Sequence, residues 1–103
     1  MANRRQHERT SLPLEVRLES LSGRYVARLS DVSPGGCFVE TLAQVSVGER
    51  IRFEIKLPTG RWLPLCGEVV YFQATLGFGV RFTDLTELDH QMLAILIEYG
   101  RES

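Results

Sequence analysis

The sequence has 103 residues, of which 44% are hydrophobic, and a formal net charge of −1. This length fits one domain, and the composition supplies an apolar core, so neither a metal ion nor a disulfide is needed to hold the fold together. The near-neutral charge argues against a general nucleic-acid-binding protein, and the longest apolar run, residues 92–97, is far too short to insert in a membrane.

The chain begins with a basic segment that has no hydrophobic periodicity. Residues 1–10 contain Arg4, Arg5 and Arg9 against Glu8, whereas acidic residues outnumber basic ones in the remainder. We expect a flexible arm over residues 1–10, followed by one folded domain over residues 11–100. Because the segment lacks the apolar stretch of a secretion signal, the sequence also predicts a cytoplasmic protein.

Short alternating segments follow the arm and predict an antiparallel β fold. Apolar residues at positions 14, 16 and 18 alternate with charged ones, which is typical of a half-buried strand. Turn-forming residues separate further predicted strands over 25–29, 37–41, 51–57, 62–65, 68–73 and 78–82. Six or seven strands at this spacing indicate a barrel or a sandwich.

The last segment changes to a helical period. Thr86 and Asp89 have the spacing of a capping box, and Gly100 is a typical stop, so a helix is predicted over about 86–99. We expect its apolar face to close one end of the barrel. The residues predicted for that face are Leu88, Met92, Ile95, Leu96 and Tyr99.

Few residues are suited to catalysis or metal binding. His7 lies in the arm and His90 in the predicted helix, and neither belongs to a nucleophile motif. Cys37 and Cys66 are expected to be reduced, buried thiols, and no ligand spacing indicates a zinc site. The sequence therefore predicts a protein that is not an enzyme and has no cofactor.

Two short motifs remain, and each has an ordinary structural explanation when taken alone. Arg5 and Arg9 have the spacing Arg-x-x-x-Arg, with Arg4 beside them, but arginines in a terminus are usually solvated. Residues 31–36 read Asp-x-Ser-x-x-Gly in a predicted turn, where Asp and Ser usually bind their own backbone.

Taken together, in this order and spacing, the two motifs resemble the PilZ domain, a family that binds the bacterial second messenger cyclic di-GMP (c-di-GMP). The resemblance covers almost the whole chain and includes Gly-Gly-Cys-Phe-Val-Glu-Thr at 35–41, Leu-Pro-Thr-Gly at 57–60 and Gly-Val-Arg-Phe at 79–82. It implies a mainly β fold, a six-stranded antiparallel barrel with one C-terminal α-helix, in a single-domain member of the family.

The same resemblance assigns six ligand-binding residues, namely Arg4, Arg5, Arg9, Asp31, Ser33 and Gly36. Arginine forks match phosphates and the O6 and N7 acceptors of guanine, whereas Asp31 can accept from guanine N1–H and N2–H₂. Ser33 can donate to the ligand or hold the turn, and Gly36 allows close approach. Trp62 and Tyr71 are interpreted as core aromatics, with stacking on the ligand as the alternative.

A receptor of this kind would pass its signal by contact to an unidentified effector protein, as a monomer or a ligand-dependent dimer. Two alternatives stay open. The first is a PilZ-like interaction module that binds no nucleotide. The second is a small barrel that binds single-stranded nucleic acid, which the acidic body of the protein disfavours.

Overall fold

The computed structural model describes residues 14–20 and 23–101. The elements are β1 (Leu14–Ser20), β2 (Gly23–Ser33), β3 (Gly36–Glu40), β4 (Arg50–Lys56), β5 (Trp62–Gln73), β6 (Gly77–Thr83) and α1 (Glu87–Arg101). All neighbouring strands pair antiparallel and close a barrel in the order β1-β2-β3-β6-β5-β4. The predicted six-stranded antiparallel barrel with one C-terminal helix is confirmed. Across the described ranges, no helix has the length and apolarity that crossing a bilayer requires.

The core fills the inside of the barrel because apolar residues alternate along each strand. On β4, Ile51, Phe53 and Ile55 are buried, while the charged residues between and after them face outward. Phe53 stacks against Phe82 of β6 with 6.1 Å between ring centroids. Full burial of a side chain of this size contributes about 1.5–3 kcal/mol to folding, so this alternation supplies most of the driving force.

One predicted break between two strands is wrong. The sequence predicts separate strands over 62–65 and 68–73, whereas β5 is a single strand of 12 residues. Gly67 continues the strand because it faces the core, where a Cβ would lie 2.3 Å from Val80 Cγ1. The same alternation turns Cys66 outward, so the prediction that both cysteines are buried holds for Cys37 and is wrong for Cys66.

The capping box at the start of α1 is confirmed. Thr86 Oγ1 accepts a hydrogen bond from the Asp89 backbone N–H at 3.0 Å, and the Asp89 carboxylate accepts one from the Thr86 N–H at 3.0 Å. Gly100 does not end the helix, which continues to Arg101. A single glycine costs only about 1 kcal/mol within a helix, which does not prevent one further residue from being helical.

The predicted buried face of α1 is wrong in part. The buried residues are Leu93, Leu96 and Ile97, with Met92 partly buried. The exposed fractions of Leu88, Ile95 and Tyr99 are 62%, 62% and 48%. The helix carries two adjacent apolar stripes, and its period alone could not decide which of them packs on the barrel.

Candidate functional site

The Asp-x-Ser-x-x-Gly segment is a tight hairpin between β2 and β3. Asp31 and Ser33 belong to β2 and Gly36 begins β3, so only residues 34 and 35 form the turn that was predicted over the whole segment. Ser33 pairs with Gly36 in the ladder, and its hydroxyl donates to the Gly36 carbonyl at 3.3 Å. The sequence predicts that Ser33 either donates to the ligand or holds the turn. The hydrogen bond that the second role requires is present.

Two β-bulges lie in the sheet around this hairpin, one within its strand β2 and one in β5, two strands away from β3. On β2 the register shifts between Leu29 and Asp31, and on β5 it shifts between Val69 and Tyr71. Each bulge inserts one residue without a partner and so changes which face of the sheet the following side chains take. Asp31 and Tyr71 consequently point outward, although the odd-numbered residues just before them, Leu29 and Val69, are fully buried.

A row of residues on the outer face connects the two bulges. Asp31 pairs with Phe38, Phe38 pairs with Gly79, and Gly79 pairs with Tyr71, across β2, β3, β6 and β5. Phe38 and Tyr71 stack with 6.0 Å between ring centroids. Gly79 leaves the space for this contact, because a Cβ there would lie 2.3 Å from Tyr71 Cε2. The row places a carboxylate beside an aromatic surface.

These residues line an open hollow of about 200 Å³, which we call the hairpin hollow. Its walls come from all four strands and consist of Asp31, Ser33, Gly36, Cys37, Phe38, Val70, Tyr71, Gly79 and Val80. Small-molecule sites usually have volumes of about 300–1,000 Å³. The hairpin hollow is therefore large enough for part of a ligand, such as one base, and needs a further wall to enclose a dinucleotide.

Gly36 approaches the neighbouring strand too closely for any side chain. A Cβ at this position would lie 2.2 Å from the Val80 carbonyl oxygen, so the requirement for glycine arises from β6. Gly36 also pairs with Arg81, whose guanidinium is bound to Glu68 at 2.5 Å. The guanidinium of Arg81, next to Gly36, is thus already paired within the protein.

The thiol of Cys37 reports on the electrostatics of the hollow. Burial, and secondarily the nearby negative charge of Asp31, raise the pKa of Cys37 well above the usual thiol range. The thiol is therefore protonated at neutral pH and is a poor nucleophile.

The hollow instead offers the Asp31 carboxylate as a hydrogen-bond acceptor and the ring of Tyr71 as a stacking surface. These two groups suit the binding of a flat base that carries hydrogen-bond donors.

The predicted arginines Arg4, Arg5 and Arg9 lie outside the described residues, as does the predicted arm. The described chain begins at Leu14, which pairs with Leu29, two residues before Asp31 on the adjacent strand. The segment that carries the arginines is therefore attached beside the hairpin hollow. An extended chain spans at most about 3.3–3.6 Å per residue, which allows Arg9 to reach a point up to about 17 Å from Leu14.

Trp62 and Tyr71, for which the sequence left a core position or stacking on the ligand as alternatives, lie in different parts of the structure. Tyr71, interpreted as a core residue, is 48% exposed and lines the hollow. Trp62 lies elsewhere on the barrel and packs under the guanidinium of Arg17, 3.8 Å from its ring centroid. Sequence reasoning missed Phe38 and Gly79 as wall residues. The isolated Gly79 between apolar strand residues was the one available signal, since such a glycine often marks a close approach.

Residues 3–99 match the model of the family described as the PilZ domain. No curated protein sequence matches the chain. The solved structures that follow are each less than 25% identical to it, and their similarity concerns the fold.

The inhibitor of motility MotI/DgrA from Bacillus subtilis has 21% identity and a TM-score of 0.73, over 98% of this chain and 51% of that one. The chain thus spans about half the length of that protein. The PilZ domain of YcgR from Escherichia coli, solved with c-di-GMP, has 19% identity and a TM-score of 0.73, over 97% of this chain and 94% of that one. The PilZ domain of CeSA from a cellulose-synthesizing bacterium has 19% identity and a TM-score of 0.65, over 92% and 98%.

Proposed function

Because the chain belongs to the PilZ domain family, we propose that it is a c-di-GMP receptor that closes its arginine-bearing N-terminal segment over the hairpin hollow. PilZ domains are in general non-catalytic receptor domains. The observation that supports the proposal most directly is the attachment point of that segment, because Leu14 pairs with Leu29 on the strand that carries Asp31. Arg4, Arg5 and Arg9 are thereby tethered to the strand edge beside the hollow.

The hollow and the segment have complementary chemistry for this ligand. In the proposed complex, Asp31 accepts from guanine N1–H and N2–H₂, and the base lies against the ring of Tyr71. Arg5 and Arg9 bind the phosphates and the opposite edge of guanine with bidentate hydrogen bonds. The small volume of the hollow, about 200 Å³, supports a division in which the protein surface holds one base and the segment encloses the rest.

The energetics of closure favour a switch. Ordering one residue of backbone costs about 1–2 kcal/mol, and a hydrogen bond to a charged group contributes about 1.5–3 kcal/mol. Five ordered residues therefore need several such bonds before closure becomes favourable, and those bonds exist only with the dianion present. We propose that the closed segment, together with the outer face around Tyr71, forms the surface that an effector protein binds.

Calorimetric titration of the full chain with c-di-GMP tests the proposal. We expect Arg5→Ala and Arg9→Ala each to weaken binding at least about tenfold, because each removes charged hydrogen bonds worth more than 1.4 kcal/mol. Arg61→Ala is the matched control, since this exposed arginine lies in the turn before β5, far from Tyr71 along the strand. Parent-like affinity in both arm variants would show that the arginines do not hold the ligand.

A second titration tests the role of Asp31 in base selection. Adenine lacks the N1–H and N2–H₂ donors of guanine, so the parent protein should bind c-di-GMP more tightly than cyclic di-AMP. Asp31→Asn keeps the shape of the side chain but replaces one acceptor with a donor, which should reduce this preference. An unchanged preference would remove Asp31 from the base contact. If the intact protein binds neither dinucleotide, the two functions that remain are the interaction module without nucleotide binding and the small barrel that binds single-stranded nucleic acid.

A further inference from the structure

A second row of residues crosses the sheet at the border of the hairpin hollow. Ser33 pairs with Gly36, and Gly36 pairs with Arg81. Arg81 pairs in turn with Glu68, and Glu68 pairs with Arg50. Neighbouring strands lie about 4.7–4.9 Å apart, so Arg81 is a single strand away from Gly36, which lines the hollow. The row therefore brings a cation to the edge of the hollow.

The hollow itself offers no positive charge to a phosphate. Among the described residues of its wall, Asp31 is the one charged side chain. Its carboxylate suits the donor edge of a base, but its negative charge repels the phosphates of a dianionic ligand. Every cation that binds those phosphates must therefore come from the N-terminal segment or from beside the wall.

Arg28 and Arg81 both lie on strands of the hollow, but their neighbours differ. Arg28 pairs with Glu15 on one side and with Glu40 on the other, and its guanidinium lies 3.4 Å from the Glu40 carboxylate. Arg81 has a carboxylate on one side only, because its other neighbour is Gly36. No side chain at residue 36 separates its guanidinium from the hollow, so Arg81 is the cation that can turn toward a ligand there.

The ion pair that holds Arg81 is easily exchanged. The side chain of Arg81 is 58% exposed and that of Glu68 is 33% exposed. Ion pairs exposed to this degree change an equilibrium constant by about fivefold at most. Within the described ranges Arg50 forms no ion pair, and it lies directly opposite Glu68 on β4. Arg50 can therefore bind the Glu68 carboxylate when Arg81 leaves it.

We propose that Arg81 is a further ligand-binding residue, which leaves Glu68 and binds a phosphate of c-di-GMP when the ligand enters the hairpin hollow. This inference rests on the proposed receptor function. A phosphate offers the guanidinium the same bidentate hydrogen bonds as a carboxylate does. Glu68 consequently competes with the ligand for Arg81 and lowers the affinity of the receptor.

Calorimetric titration of the full chain with c-di-GMP tests this competition. Arg81→Ala should weaken binding at least about tenfold, whereas Glu68→Gln should tighten it by up to about fivefold, because the competing carboxylate is removed. Arg81→Lys keeps the charge without the bidentate fork, so it should bind with intermediate affinity, and it serves if Arg81→Ala fails to fold. Arg24→Ala is the matched control, since it removes another cross-strand ion pair, with Glu19, that does not line the hollow and should leave affinity unchanged.

The opposite signs of the two effects separate ligand binding from a structural role of the ion pair. If the pair only holds β5 against β6, both variants should weaken binding alike, and that result overturns the proposal. In the Arg81→Ala background, Glu68→Gln should no longer tighten binding, and continued tightening would contradict the competition. A parent protein that binds no c-di-GMP would refute the receptor function and this inference together. Parent-like binding by Arg81→Ala beside weakened binding by Arg9→Ala would refute this inference alone.

Discussion

Gly35 and Gly36 are neighbours in the β2–β3 hairpin, yet an alanine should have opposite effects at the two positions. At Gly36 a Cβ would lie 2.2 Å from the Val80 carbonyl oxygen and 3.3 Å from its carbon. These are backbone atoms held by the pairing of β3 with β6, so they cannot rotate away as a side chain could. At Gly35 no atom lies within 4 Å of the Cβ position, and φ is outside the left-handed region.

The magnitudes follow from these contacts. Overpacking usually costs about 1–3 kcal/mol, and a clash with a fixed carbonyl belongs in the upper part of that range. We therefore expect Gly36→Ala to lower the free energy of unfolding by about 2–3 kcal/mol. Gly35→Ala should raise it by about 0.4–1 kcal/mol, because alanine has less conformational entropy in the unfolded chain. For a domain of this size, the Tm of Gly36→Ala should fall by roughly 10–20 °C.

Urea unfolding followed by circular dichroism measures both variants under identical conditions. Equal stability of the two variants would refute the reasoning, because it would mean that the backbone of β6 does not crowd a side chain at residue 36. The same pair separates structure from binding. If folded Gly36→Ala binds c-di-GMP like the parent, the glycine is required by the barrel and not by the ligand.

Four further predictions concern other parts of the chain. Tyr71→Ala should weaken c-di-GMP binding by about 1–3 kcal/mol in calorimetry if a base stacks there, whereas Trp62→Ala should leave it unchanged. A thiol reagent at pH 8 should modify Cys66 quickly and Cys37 only after unfolding. Because the pKa of Cys37 is raised by folding, stability should be lost as pH rises above the unfolded thiol pKa of about 8.5, and Cys37→Ala should remove that part of the loss in alkaline urea titrations. Thr86→Ala should lower the free energy of unfolding by about 1 kcal/mol, measured by thermal denaturation.

The barrel was predictable because its signals are local. Residues 51–57 alternate without interruption, and each apolar member of that run is buried in the structure. The turn at 58–60 also carries its own signal, since Gly60 has a φ of +94°, which favours glycine. The capping box of Thr86 and Asp89 is likewise a contact between residues three apart. In each case the physical cause lies within a few residues of the effect.

The buried face of α1 was not predictable in the same way. Both of its stripes have helical spacing, and both include Met92 and a leucine or isoleucine on the next turn. The choice between them depends on how α1 leaves β6 and which residues of the barrel it meets, among them residues of β2. That is information about tertiary contacts. The stripe that loses this competition, with Leu88 and Ile95, is the one that remains exposed.

The hairpin hollow depends on the two bulges, which leave no signal in a single strand. Unbroken alternation from Leu29 would turn Asp31 inward, and unbroken alternation from Val69 would turn Tyr71 inward, which is why Tyr71 was interpreted as a core residue. A bulge is a property of two strands, because the extra residue is defined only against the register of its partner. β3 and β6 lie between the bulged strands, and Gly79 on β6 leaves the space that Tyr71 fills. A regular β2 would bury the Asp31 carboxylate, and a regular β5 would remove the aromatic wall, so both irregularities are required for a carboxylate and an aromatic ring to share one outer surface.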